Sequence, residues 1–197
     1  MSTNRLEAFS DGVLAVAITL LVLNIKVPHS SDLAHVLASN WTEYVAYATS
    51  FLTIGIIWIN HHAMIGRLRE ADHSILVLNL FLLMTVVILP FATSLMTTYL
   101  KLGRDEALAA AIYSGSLLLM SLTFTALNRQ ILLVKPELLV AEIPEERRKA
   151  IFKYATLGLV PYVVATAVAP LSAYATLAIC AAVAVFYSTP LASGGGR

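Results

Sequence analysis

Six apolar runs of bilayer length, parted by short polar breaks, set the terms on which this chain can fold. About 20 consecutive apolar residues cross a hydrocarbon core, where every backbone N–H and C=O needs a partner, and a helix supplies those partners from its own segment. The runs predict helices at about 5–27, 41–65, 73–98, 106–133, 150–169 and 171–189. The expected fold class is therefore an all-α integral membrane protein with six transmembrane helices per subunit, forming one domain over residues 1–190. Composition agrees, since 58% of the 197 residues are hydrophobic, 13% are charged and the mean hydropathy is +0.79. The net charge of +1, with basic residues scattered between apolar runs, excludes a nucleic-acid partner.

The breaks carry the polar chemistry. The first, Pro28 to Asn40, holds His29, Ser30, Ser31, Asp32 and His35 and reads as a connection. Trp41 and Tyr44 follow it as interfacial anchors. Arg67 to His73 and Lys101 to Glu106 form the next two breaks. The longest, Lys135 to Lys149, contains Pro144, which suits the first position of a helix. Ala169, Pro170, Leu171 and Ser172 leave room only for a tight hairpin between the last two spans. Residues 191–197, mostly serine and glycine, read as a flexible tail, either a linker or an appended remnant. Cys180 lies inside an apolar run and reads as a small buried hydrophobe, and a lone cysteine allows no disulfide within the chain. Acidic residues before the first run, with no small-x-small site before Pro28, argue that this segment is a retained span and not a cleaved signal.

Lysine and arginine fix an expected orientation. Arg5, Arg67, Arg69, Arg129, Lys135, Arg147, Arg148, Lys149, Lys153 and Arg197 fall on one side, against Lys26, Lys101 and Arg104 on the other. The positive-inside rule then puts both termini in the cytoplasm, with the protein in the inner, cell membrane. The polar foot of the first span is not repeated at the fourth, so no pseudo-two-fold within the chain is expected.

The first span is the most informative. At about 100° per residue, Val13, Val16, Leu20, Leu23, Asn24 and Val27 gather along one line, while Asp11, Ala15, Ile18 and Val22 lie on another flank. Spacing alone leaves the apolar stripe either lipid-facing or packed. Asp11, an ionisable group inside the span, should face protein or water and have a partner. Candidates at the same depth are Arg5, the second-span run Trp58-Ile59-Asn60-His61-His62, and Asn79 on the third span. Polar groups at one depth on three helices suggest an interhelical hydrogen-bond network. Adjacent His61 and His62 diverge by about 100° on a helix and lack a third ligand at matching spacing, so a hydrogen-bonding role outweighs a metal site. Spacing does not choose between the two histidines.

Arg5-x-x-x-Phe9-Ser10-Asp11 followed by Gly12-Val13, then Trp58-x-x-His61-His62, Leu78-Asn79-Leu80 and Leu89-Pro90-Phe91, resembles the transmembrane protein 175 family of potassium channels. The likeness is close over the first three spans and rests on length and order over the last three. It implies a homotetramer in the lipid bilayer, as in the short prokaryotic members, with K⁺ as the permeant ion and no cofactor. The pore would be lined by the first span of each subunit, without a carbonyl-lined T-V-G-Y-G filter. By the same likeness Val16, Leu20 and Leu23 make the constriction and Thr19 places a hydroxyl beside it. Arg5, Phe9, Ser10 and Asp11 would then be held by Trp58, His61 or His62, and Asn79. The rival expectation is a proton-coupled transporter using Asp11 with His61 and His62, although the broken helices and repeats typical of such proteins are not visible. An enzyme is not expected, since no H-E-x-x-H, G-x-S-x-G or acidic pair occurs in the apolar core.

Overall fold

The computed structural model describes residues 2–25, 27 and 32–189. The expectations for Lys26, Pro28, His29, Ser30, Ser31 and the 191–197 tail lie outside the described residues. The rest is helical: α1 (Thr3–Leu20) continues as a 3-10 turn (Leu21–Asn24), and then come α2 (Leu33–Ser39), α3 (Trp41–Ile65), α4 (His73–Val87), α5 (Leu89–Leu102), α6 (Glu106–Arg129), α7 (Glu145–Leu157), α8 (Leu159–Val168) and α9 (Ala173–Ser188). Five stretches are long and apolar enough to cross a membrane: Thr3–Asn24, Trp41–Ile65, His73–Leu102, Glu106–Val134 and Glu145–Val168, and the apolar α9 is shorter.

Three departures from expectation have local causes. The first break contains α2, because Asp32 caps it: its Oδ1 accepts from the His35 amide at 3.0 Å. The third and fifth stretches are each broken into two helices. Pro90 and Pro161 lack an N–H and crowd the carbonyl four residues back, and α4 and α7 end at or next to those residues, Val86 and Leu157. At the second break Gly158 also allows a close approach, since a Cβ there would lie 3.2 Å from both the Ala155 carbonyl and the Tyr187 hydroxyl. Pro144 caps α7 from one residue outside it, with the helix starting at Glu145. The hairpin after α8 is tight as expected, and Ser172 Oγ caps α9 by accepting from the Ala175 amide at 3.2 Å.

α6 is the central helix, packed by α4, α5, α8 and α9, while α1 lies to one side against α3 and α4. Leu82, Met96, Tyr113, Leu117, Met120 and Leu127 fill the interior around α6. A hydroxyl cluster ties three helices inside this apolar core: Ser50 Oγ of α3 is 2.8 Å from Thr93 Oγ1 of α5 and 3.0 Å from the Tyr113 hydroxyl of α6. At one end of the bundle the α3–α4 connection pairs with the segment after α6, through Arg69 N to Leu138 O at 2.8 Å and Val140 N to Arg67 O at 2.9 Å, and Ser2 bridges Glu70 alongside. At the other end Lys101 pairs with Glu43, and Trp41 stacks on Tyr174.

Candidate functional site on the first helix

α1 has two unlike faces. Leu6, Ser10, Leu14, Ala17 and Leu21 are buried against the bundle. On the opposite line Arg5, Phe9, Gly12, Val16, Thr19, Leu20, Leu23 and Val27 are exposed, with Val16 58% and Leu23 74% accessible. The expected stripe is therefore present along Val16, Leu20, Leu23 and Val27. Two residues assigned to it turn away: Val13 packs on the core, and Asn24 Nδ2 donates to the Pro90 carbonyl at 2.9 Å. That bond ties the end of the first span to the carbonyl of the proline that breaks the third. Thr19 Oγ1 donates to the Val16 carbonyl at 2.9 Å, which occupies its proton and leaves its lone pairs facing outward.

A polar network crosses from α1 to α3 and α4. His61 Nε2, Asn79 Oδ1, Asn79 Nδ2 and Ser10 Oγ form a continuous line, with distances of 2.7 Å from His61 to Asn79 and 3.0 Å from Asn79 to Ser10. Ser10 Oγ in turn donates to the Leu6 carbonyl at 2.8 Å. Because the Asn79 amide nitrogen donates to Ser10, its oxygen must accept, and His61 Nε2 carries the proton. All three side chains are fully buried, and His61 Nδ1 has no hydrogen-bond partner. Nearer the surface, Trp58 Nε1 donates to Asp11 Oδ1 at 2.9 Å, and His62 Nδ1 pairs with Glu7. The Trp58 and His62 rings lie near each other, tilted by 34°, with centroids 6.5 Å apart.

Both histidines thus have partners, on different helices, because consecutive residues point in different directions. Sequence reasoning did not place Glu7 in this network, though its spacing of three and four from Ser10 and Asp11 was a usable signal. Arg5 and Phe9 lie on the exposed line, away from α3 and α4, and their side chains make no hydrogen bond or ion pair among the described residues. No group of three or more metal-ligating side chains is found among the described residues.

A family model described as the endosomal/lysosomal potassium channel TMEM175 matches residues 5–90, the part of the chain that holds this network. A potassium channel of Chamaesiphon minutus is 36% identical over 191 residues, which is 94% of this chain and 93% of that one. A potassium channel of Streptomyces collinus is 45% identical over 128 residues, and the match spans 64% of this chain and 62% of the relative. The endosomal/lysosomal proton channel TMEM175 of Bos taurus is 33% identical over 172 residues, only 36% of its length. The crystal structure of a lysosomal potassium-selective channel TMEM175 homolog from Chamaesiphon minutus superposes with a TM-score of 0.82 at 35% identity, covering 94% of this chain and 96% of that one. With several helices able to cross a membrane, this is a multi-pass membrane protein. The chain belongs to the TMEM175 family of ion channels.

Proposed function

We propose that the protein is a potassium-permeable channel that assembles as a homotetramer, with α1 of each copy facing a central axis and six crossings per subunit. The observation that carries this reading is the uncovered line on α1. Val16, Leu20 and Leu23 stand exposed along one side of a helix whose other side is fixed to α3 and α4 by Ser10, Asp11 and Glu7. Ordinary lipid exposure would explain an apolar line, but it would not call for such firm anchoring of the helix that bears it. Four such lines around an axis make stacked apolar rings, which gate by dewetting. A ring too narrow for a full hydration shell favours the ion that loses water more cheaply, so K⁺ passes in preference to Na⁺, with modest selectivity. The outward lone pairs of Thr19 replace part of the lost shell. The protein then sits in the cell membrane with both termini cytoplasmic, and passive flux needs no cofactor and no catalysis.

The Bos taurus relative is described as a proton channel, and Asp11, Glu7, His61 and His62 lie close together, which favours proton movement as the second reading. Reconstituted protein decides between them. On the potassium reading, liposomes pass K⁺ down its gradient at a rate insensitive to an imposed pH difference, and Leu20→Asn shifts the reversal potential under opposed K⁺ and Na⁺ gradients. Unchanged selectivity in Leu20→Asn removes the sieve, and K⁺ flux that requires a proton gradient removes the passive channel.

A further inference from the structure

Two neighbouring elements each present an open apolar line that ends in a free cation, and the two ends lie at one depth. On α6 the line is Leu119, Leu122 and Ala126, at spacings of three and four, and it ends on the exposed Arg129. At about 1.5 Å per residue Arg129 stands roughly 35 Å along the helix from Glu106, close to the thickness of one hydrocarbon core. After α6 the chain returns through α7 into α8, and α8 packs back against α6. Arg148 Nη1 donates to the Leu132 carbonyl at 3.1 Å, which sets the register of α7 on this antiparallel pair. Counted from that bond, Lys153 lies level with the turn around Leu127, so Lys153 and Arg129 fall within about one turn, roughly 5 Å, of the same depth. The open line on α8 and α7 is Val164, Val160, Leu157 and Tyr154, and it ends in Lys153 and then Arg147.

The side chains of Arg129, Arg147 and Lys153 make no hydrogen bond or ion pair among the described residues, and α7 has no buried residue. A lone exposed cation is ordinarily just solvated. These differ because each continues an apolar line, and because α7 runs directly into the apolar α8, which holds its cations at the bilayer surface. Carboxylates do not cancel them at that depth: Glu145 is engaged by Lys149, and Glu146 lies in the first turn of α7, about 10 Å farther from the span than Lys153. We propose that the surface formed by α7, α8 and the end of α6 binds an anionic phospholipid, with the headgroup at the level of Arg129 and Lys153 and an acyl chain along Leu157, Val160 and Val164. Each lysine or arginine near an anionic headgroup contributes about a fivefold preference, whereas a phosphocholine brings its own cation and gains little. The site requires only a bilayer at this level, whichever ion the protein passes and whichever side is cytoplasmic.

Native mass spectrometry of the delipidated protein, titrated in detergent with phosphatidylglycerol and with phosphatidylcholine of the same acyl chains, reads the two dissociation constants. Phosphatidylglycerol should bind more tightly by on the order of tenfold, and the preference should shrink as salt rises. Arg129→Gln combined with Lys153→Gln, both at exposed positions outside the packed core, should reduce the preference by about fivefold or more. Arg104→Gln removes an exposed cation at the opposite end of the bundle and should leave it unchanged. Glycerol 3-phosphate, which offers the phosphate without the chains, should not displace the lipid. Equal binding of the two lipids, a preference that survives the double substitution or falls as far with Arg104→Gln, and displacement by glycerol 3-phosphate would each overturn the proposal. So would failure to retain either lipid because a second copy covers this face.

Discussion

Asn79→Leu should loosen the attachment of α1 more than any other single polar-to-apolar change in the chain. Asn79 is fully buried and spans two helix interfaces, accepting from His61 at 2.7 Å and donating to Ser10 at 3.0 Å. Leucine shares its branching and is larger, so no cavity is left, and the polar loss is joined by whatever overpacking the buried site imposes. Interhelical hydrogen bonds in membranes are worth on average about 0.6 and at most about 1.7 kcal/mol, so two of them amount to between about 1 and 3 kcal/mol. The upper half of that range is favoured here, because His61 Nδ1 already has no partner and the substitution strands Nε2 as well, leaving a buried imidazole with neither nitrogen satisfied. Ser10 retains its bond to the Leu6 carbonyl and suffers less.

Unfolding in mixed micelles by increasing dodecyl sulfate, followed by tryptophan fluorescence, gives the free-energy difference directly. Ser116→Ala serves as the control, since Ser116 Oγ bonds only to the Ile112 carbonyl of its own helix, and such a local bond adds nothing to the attachment of one helix to another. A double-mutant cycle with His61→Phe should show a coupling of at least about 0.5 kcal/mol between the two positions. Stability of Asn79→Leu within about 0.3 kcal/mol of the parent, or strict additivity with His61→Phe, would refute the reasoning.

Two further changes test the opposite end of the bundle. Lys101→Met leaves the Glu43 carboxylate, 8% exposed, without its cation; because the lysine side chain is itself 38% accessible, the loss should fall between the values for surface and buried pairs, about 2 kcal/mol, and Glu43→Gln in the same protein should restore most of it. Gly103 ends α5 in the left-handed region at φ 65°, so Gly103→Ala should cost about 1 kcal/mol and lower the melting temperature in detergent, whereas Gly115→Ala, where a Cβ meets open space on α6, should not lower it.

Most of the helical plan was legible because the bilayer imposes a length on apolar runs, and that length survives local irregularity. The broken third and fifth stretches were not, although Pro90 and Pro161 are plain in the sequence. Hydropathy reports how much of a segment is apolar and is blind to whether its hydrogen bonds run unbroken, and membranes tolerate such breaks where neighbours satisfy the released groups. α2 was missed because Pro28, Ser30 and Ser31 dominated the reading of that connection, while the helix signal was Asp32 followed by an apolar-rich turn. His61, Asn79, Ser10, Asp11 and Trp58 were legible from their shared depth. Which histidine met which partner was not, since that depends on the rotation of α3 about its own axis, a quantity that a nearly uniform apolar helix encodes weakly.

The Arg5-x-x-x-Phe9-Ser10-Asp11 signature divides between the two faces of α1, and the division follows from helix geometry. At about 100° per residue, Arg5, Phe9 and Leu20 all fall within about 40° of Val16, on the exposed line, and beyond the α-helix Leu23 and Val27 are exposed as well. Ser10 and Asp11 lie well over 100° from it, on the sides turned to α4 and α3. One half of the motif therefore fixes the rotation of α1 and the other half lies on the surface that this rotation presents. A change at Ser10 or Asp11 acts on the open line by turning the helix, whereas a change at Arg5 or Phe9 acts on it directly. In the proposed assembly the first class should alter stability and ion passage together. The second should alter ion passage or subunit association while leaving the unfolding free energy of a single subunit near that of the parent.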